Sequence, residues 1–202
     1  MKITADMIKA LRAETSAGVL DCRKALQESD GDYQKALAWL QEKGMAMAAN
    51  RSDRAASNGT IEIYSHGGGR VGVMVEVNCE TDFVARSEQF RTLAHEIALQ
   101  IAASSPRFVR QEDIPAAELE KEKERARSRG KEEGKSDTIV EKMVEGAIQK
   151  YMDEVVLLRQ TYIRDENLTV EKLIMQNVAA IGENVVVRRY ARWELGQGAD
   201  ES

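Results

Sequence analysis

The sequence predicts an α+β fold, in which a small helical head precedes an antiparallel sheet covered on one side by helices. Three observations carry that expectation. Apolar residues recur at helical spacing through the first 44 positions. Two runs then alternate with the period of half-buried strands: Ile61 and Ile63 against Glu62 and Tyr64, then Val71, Val73, Val75 and Val77 against Gly72, Met74, Glu76 and Asn78. The remaining order of helix, helical excursion, helix and strand is satisfied by a sheet with helices on one face.

Taken in order, Thr4 reads as the N-cap of a helix carrying Ile8 and Leu11 and ending near Glu14. The loop Thr15-Ser16-Ala17-Gly18 leads to a second helix with Val19, Cys22 and Leu26, stopped by Ser29-Asp30-Gly31-Asp32. Asp32 caps a third helix with Tyr33, Ala36, Leu37 and Leu40, and Gly44 is the expected stop. Residues 1–44 thus form a three-helix head, too small to bury much core and suited to recognition. Residues 45–59 read as a linker, and residues 60–195 as an α+β core and dimerisation domain.

Within that core, Gly67-Gly68-Gly69 turns the first strand into the valine strand as a hairpin. A helix from about Ser87 to Ala103 follows, broken at Ser104-Ser105-Pro106. Residues 115–158 predict two helices, one highly charged from Pro115 to Arg129 and one from Thr138 to Leu158. They form either a projecting hairpin or a solvated layer on the surface. Thr161-Tyr162-Ile163 is a candidate short strand, Thr169 caps a helix ended by Gly182, and the last strand runs from Val185 to Trp193. Residues 196–202 read as a disordered tail.

The junction Asn78-Cys79-Glu80-Thr81-Asp82-Phe83-Val84 stands out, because strand period gives way there to helical period. A carboxylate beside two bulky apolar residues at such a turn can probe a partner's pocket. Alternatively, Phe83 and Val84 begin the buried face of the helix, since Phe83 lies seven residues before Phe90.

Composition narrows the function. The chain of 202 residues is 43% hydrophobic and 31% charged, with a formal net charge of −5. Phosphate neutralisation is therefore a poor source of affinity, and Arg188, Arg189 and Arg192 are the one compact basic group near the C-terminus. No apolar run reaches bilayer length and the N-terminus lacks a signal-peptide pattern, so the expected compartment is the cytoplasm with reduced thiols. Cys22, His66, Cys79 and His95 are scattered without metal-ligand spacing, and no cofactor is expected.

Enzyme motifs fall away on inspection. His66-Gly67-Gly68-Gly69 resembles an oxyanion loop, but no Gly-x-Ser-x-Gly nucleophile elbow accompanies it. A P-loop is absent. Cys79 with His95 has no third group to orient the imidazole. The pattern is that of a binding protein.

Five groups of residues then carry a family resemblance. These are Leu11-Arg12 with Thr15 and Gly18; Asp21-Cys22-Arg23-Lys24-Ala25-Leu26; Val75 through Val84; Glu141-Lys142-Met143-Val144-Glu145-Gly146; and Ile181-Gly182-Glu183-Asn184 with the following strand. In this order they closely resemble the elongation factor Ts family, guanine-nucleotide exchange factors for elongation factor Tu, over about Ile3 to Leu195. The resemblance implies a ubiquitin-associated-like head that contacts the partner's nucleotide-binding domain through Leu11, Arg12, Val19 and Leu20. It implies that Thr81, Asp82, Phe83 and Val84 act near the partner's magnesium ion, with Phe83 entering an apolar pocket. It also implies that the helical hairpin is a coiled-coil excursion.

Longer family members look as if they hold two related core halves, whereas this chain holds one and stops soon after Leu195. A homodimer would supply the second half by two-fold symmetry, through the outer sheet face near Tyr190 and Trp193. The implied partner is elongation factor Tu, GDP-bound and nucleotide-free, with no membrane or direct nucleic-acid contact. Two rival readings remain from the residues alone: a scaffold or chaperone-like interaction module, and a thiol enzyme using Cys79.

Overall fold

A computed structural model describes residues 3–15 and 17–197 of the chain. Ser16 of the first loop and residues 198–202 of the expected tail lie outside the described residues. The rest divides into two compact units. One gathers the chain up to Ile61 with Glu76–Ala94 and Lys172–Val187; the other gathers Glu62–Val75, His95–Glu171 and the chain from Arg188.

The head consists of α1 (Ala5–Thr15), α2 (Val19–Glu28) and α3 (Tyr33–Ala49). Its caps are those the sequence predicts: Met7 N–H donates to Thr4 Oγ1 at 3.3 Å, and Lys35 N–H to Asp32 Oδ1 at 3.1 Å. Leu11, Cys22, Ala25, Leu26, Ala36 and Leu40 close its core. Fully burying a leucine such as Leu11 or Leu26 contributes roughly 1.5–3 kcal/mol. Expected to end at Gly44, α3 instead continues to Ala49. One helical glycine costs only about 1 kcal/mol, and Met45-Ala46-Met47-Ala48-Ala49 are strong helix formers.

The main sheet has three strands, β1 (Asn58–His66), β2 (Val71–Cys79) and β5 (Val185–Glu194), in the order β1-β2-β5. Gly67, Gly68 and Gly69 make the hairpin turn at φ 59°, 67° and 93°, where a side chain would be strained. Val73, Val75 and Val77 are buried as their alternation predicts. Along β5 the alternation slips by one residue: Val185 and Val187 are buried, whereas Arg188 and Arg189 are both exposed. After the slip, the side chains that point inward are Tyr190, donating to the Pro106 carbonyl at 2.6 Å, and Arg192, donating to the Ala102 carbonyl at 3.3 Å. Tyr190 and the exposed Trp193 therefore lie on opposite faces, which separates the two residues expected to share the outer one.

A single helical turn, α4 (Asp82–Ala85), precedes α5 (Glu88–Ser104). Phe90, Leu93, Ala94, Ile97 and Ile101 of α5 are buried, the stripe read from the sequence. Next, α6 (Ala116–Glu132) packs along α7 (Asp137–Val155) as a helical hairpin. Val140 and Val144 line its contact, Arg127 reaches Glu141 at 3.8 Å, and Tyr151 of α7 donates to Glu118 of α6. Ile114, Met152 and Val156 form a core at its base.

The short strand expected at Thr161-Tyr162-Ile163 forms as β3 (Thr161–Tyr162), and it pairs antiparallel with β4 (Asp165–Thr169), which the sequence pattern does not signal. The β4 residues Asp165-Glu166-Asn167-Leu168-Thr169 are mostly polar and show no alternation. The chain then enters α8 (Val170–Ile181), which brings it to the loop Gly182-Glu183-Asn184 before β5. In the first unit, a Cβ placed on Gly44 of α3 would lie 3.0 Å from that of Ala179 on α8, so the helices meet closely there.

A braced turn as the candidate functional site

The turn between β2 and α5 is built from the backbone outward. Thr81, extended at φ −124° and ψ 156°, is the N-cap of α4, and its Oγ1 accepts from Val84 N–H at 3.3 Å. Ser87 then separates α4 from α5: its hydroxyl donates to the Val84 carbonyl at 2.8 Å and accepts from Phe90 N–H at 3.3 Å. This second cap resets the helical phase. Val84 turns inward, 8% exposed, while Phe83 is 81% exposed. The alternative that Phe83 starts the buried face of α5 does not hold in the structure.

Leaving a phenylalanine ring in water forgoes about 2–3 kcal/mol of burial. Beside it, Asp82 is also exposed and pairs with Arg86, the C-cap of the same short helix, at 3.1 Å. Ion pairs of that kind contribute little, so the Asp82 carboxylate is free to change partners.

What holds this exposed tip is a carboxylate from the other end of the chain. Glu183 Oε2 accepts from Glu80 N–H at 3.1 Å and from Thr81 N–H at 3.0 Å, and Thr81 Oγ1 donates to Glu183 Oε1 at 2.7 Å. The brace is reciprocal, since Asn184 N–H donates to Glu80 Oε1 at 2.7 Å. Asn58 Nδ2 adds a bond to the Glu80 carbonyl at 2.8 Å. The Asn184 side chain in turn holds the segment after α3, donating to the Ser52 and Arg54 carbonyls at 3.1 and 2.8 Å. Sequence reading noted Glu183 and Asn184 only as part of a family motif; the pairing across more than a hundred residues carries no local signal.

Cys79 belongs to the same frame. Its Sγ donates to the Thr81 carbonyl at 3.2 Å, and burial, with the Glu183 charge, pushes the thiol's pKa up. A buried, protonated thiol is a poor nucleophile. His95 instead hydrogen-bonds Glu62 Oε1 at 2.8 Å and packs edge-on to Tyr64. Among the described residues no group of three or more His, Cys, Asp or Glu side chains is placed to hold a metal ion. No described helix is long and apolar enough to cross a membrane.

The head residues divide in two. Leu11 is fully buried and anchors the helices from within, so it presents no surface to a partner. Arg12 is exposed, and Val19 and Leu20, 49% and 80% exposed, begin α2 as an aliphatic pair in water. The first unit therefore displays an aromatic tip on a rigid brace and an aliphatic pair on a small helical head.

The family model described as Elongation factor TS matches residues 3–197. Several relatives named elongation factor Ts align over nearly the whole chain. The one from Heliobacterium modesticaldum is 52% identical over 196 residues, covering 97% of this chain and 91% of its own length. That from Desulforamulus reducens is 53% identical over 200 residues, covering 99% and 92%. That from Coprothermobacter proteolyticus is 51% identical over 197 residues, covering 98% and 100%.

Proposed function

The chain belongs to the elongation factor Ts family of translation elongation factors, and from that premise we propose that it binds elongation factor Tu with GDP and promotes exchange of GDP for GTP. The observation that carries the reading is Phe83, 81% exposed on a turn whose entry is braced by the Glu183 carboxylate. No covalent chemistry is required. GDP and magnesium hold the switch loops of a GTPase through phosphate contacts. A protein that binds the nucleotide-free conformation more tightly weakens nucleotide by the same factor, by linkage.

Transfer of Phe83 from water into an apolar pocket of the partner yields roughly 2–3 kcal/mol. That gain offsets displacement of groups around the magnesium ion and β-phosphate. Asp82, weakly held by Arg86, competes for donors near the ion, while Thr81 and the inward Val84 shape the turn. Arg12, Val19 and Leu20 add contacts from the head, and Leu11 supports them from its core. GTP then enters and releases the factor, which acts by binding, in the cytoplasm, as no enzyme.

We also propose a homodimer. Val73 and Val75 are buried, which sends Met74 to the other face of β2; Tyr64 meets His95 of α5, which sends Ile63 to the outer face of β1. With Trp193, these make an apolar outer face on the second unit, 72%, 41% and 63% exposed for Ile63, Met74 and Trp193.

Stopped-flow release of a fluorescent GDP analogue from elongation factor Tu tests the exchange reading. Strong acceleration by the wild-type chain, much weakened in Phe83→Ala with unchanged circular dichroism, is the expected result. No acceleration by a folded wild-type chain would leave only a scaffold role.

A further inference from the structure

We infer that Glu183 is a positioning residue for nucleotide exchange, acting through the Thr81–Phe83 turn rather than by touching the partner's nucleotide site. The inference rests on the exchange reading above and names a residue that reading does not use. Its basis is an asymmetry of support. The tip itself is a four-residue helix whose aromatic ring is 81% exposed. So short a helix has no stability of its own. Its entry is fixed instead by three donors, Glu80 N–H, Thr81 N–H and the Thr81 hydroxyl, all converging on one carboxylate.

The arrangement matches what positioning requires. A carboxylate accepting backbone N–H groups makes charge-assisted bonds, stronger and shorter than neutral ones. The Thr81 hydroxyl spends its proton on Glu183 and keeps a lone pair for Val84 N–H, so the brace and the helix cap are parts of one hydrogen-bond chain. Glu80 returns a bond to Asn184 N–H, which prevents the Glu183 loop from drifting with the turn. Asn184 extends the frame to Ser52 and Arg54 after α3, so the chain leaving the head and the chain presenting Phe83 share one anchor.

Loss of the brace leaves Phe83 in place chemically while releasing its direction. Binding energy from the rest of the surface persists, but the ring no longer arrives pre-oriented, and misplacement of a group by about 1 Å can cost on the order of a hundredfold in rate. The effect belongs on the maximal release rate rather than on the concentration of factor that half-saturates it.

The test is GDP release from elongation factor Tu, followed over a range of factor concentrations, for wild type, Glu183→Ala, Glu183→Gln, Phe83→Ala and the double variant Phe83→Ala/Glu183→Ala. Glu183→Ala is expected to lower the maximal rate about tenfold or more while the half-saturating concentration changes by less than about threefold. Glu183→Gln is expected to fall between, because its single oxygen can serve the two N–H groups but its amide gives the Thr81 hydroxyl proton no acceptor. In the Phe83→Ala background, Glu183→Ala is expected to add almost nothing, since the residue acts through the ring.

Slow release with Phe83→Ala but wild-type rates with both folded Glu183 variants would overturn the inference and leave the exchange reading standing. An equal loss from Glu183→Ala with and without Phe83 would also overturn it, by showing a general structural role. Wild-type release rates with Phe83→Ala would overturn the inference by removing the role of the tip, whereas no acceleration by the wild-type chain would remove the exchange reading beneath it. Should Glu183→Ala fail to fold by circular dichroism, Glu183→Gln alone and in the Phe83→Ala background carries the same comparison.

Discussion

Tyr162 donates its phenolic hydroxyl to Glu96 Oε2 at 2.6 Å, and Arg164 reaches the same oxygen at 2.6 Å. Burial by itself would raise the Glu96 carboxyl, but the bonds from Arg164 and Tyr162 outweigh it and hold the group below its ordinary 4.5. A depressed folded pKa contributes stability that is present above the unfolded value and lost as pH falls through the folded one. Glu96→Gln is therefore expected to be less stable than wild type at about pH 7 and to approach wild type at about pH 3. Urea denaturation at the two pH values measures it; a difference that does not shrink on acidification would exclude this pair as the cause. Tyr162 gives the opposite limb. Burial, then the Glu96 bond, pushes its pKa to about 12, so its contribution holds below 10.0 and is lost as pH rises through the folded value.

Gln100 is 1% exposed and makes a complete polar network. Its Nε2 lies 3.0, 3.3 and 3.1 Å from Ser104 Oγ, Gln160 Oε1 and the Thr161 carbonyl, which share its two protons, and its Oε1 accepts from Ile163 N–H at 2.9 Å. Gln100→Leu keeps the volume but takes from Ile163 N–H the side-chain acceptor that it has in the structure. The expected cost is about 1–3 kcal/mol, the range for one donor that loses its partner. Chemical denaturation measures it, and hydrogen exchange at Ile163 should accelerate. A loss under about 0.5 kcal/mol would mean that water replaces the glutamine.

The outline of this fold is legible because period and punctuation agree: Thr4 and Asp32 cap their helices, the valines alternate, and Gly67-Gly68-Gly69 turns the hairpin. What was missed has physical causes. Polar β4 offers no alternation, and Gly44 reads as a stop although the residues after it favour helix. Phe83 shares a heptad with Phe90, yet the Ser87 cap between them breaks the phase and turns Phe83 outward. Leu11, expected from the family resemblance to meet a partner, lies on a helical stripe that faces the head core. The Glu183 brace joins residues 102 positions apart, and local pattern holds no trace of such a bond.

Gly59 of β1 leads to a sharper structural prediction. Its φ is 149°, and a Cβ there would lie 2.1 Å from the Val77 carbonyl oxygen and 2.7 Å from Asn78 Cα. Both neighbours are backbone of the strand that delivers the Thr81 turn, so neither yields without breaking the sheet. Gly59→Ala is expected to cost about 3 kcal/mol or more, combining backbone strain with steric displacement. Thermal denaturation provides the measurement. An unchanged melting temperature would show that β1 can separate locally from β2 without penalty.

The last prediction concerns the outer face of the second unit. Ile63, Met74 and Trp193 leave apolar side chains in water on three neighbouring strands, whereas contiguous apolar patches on monomers are usually small. Two-fold pairing would bury the same patch on both copies. Replacing Ile63 by Asp would place two carboxylates in the paired interface, where unpaired buried charge costs several kcal/mol. Ile63→Asp is therefore expected to sediment as a monomer at protein concentrations where wild type sediments as a dimer. Its circular dichroism should stay unchanged, because Ile63 is 72% exposed within one copy and supports no core of its own. A wild-type chain that sediments as a monomer would refute the dimer, and a dimer that survives Ile63→Asp would move its interface away from this face.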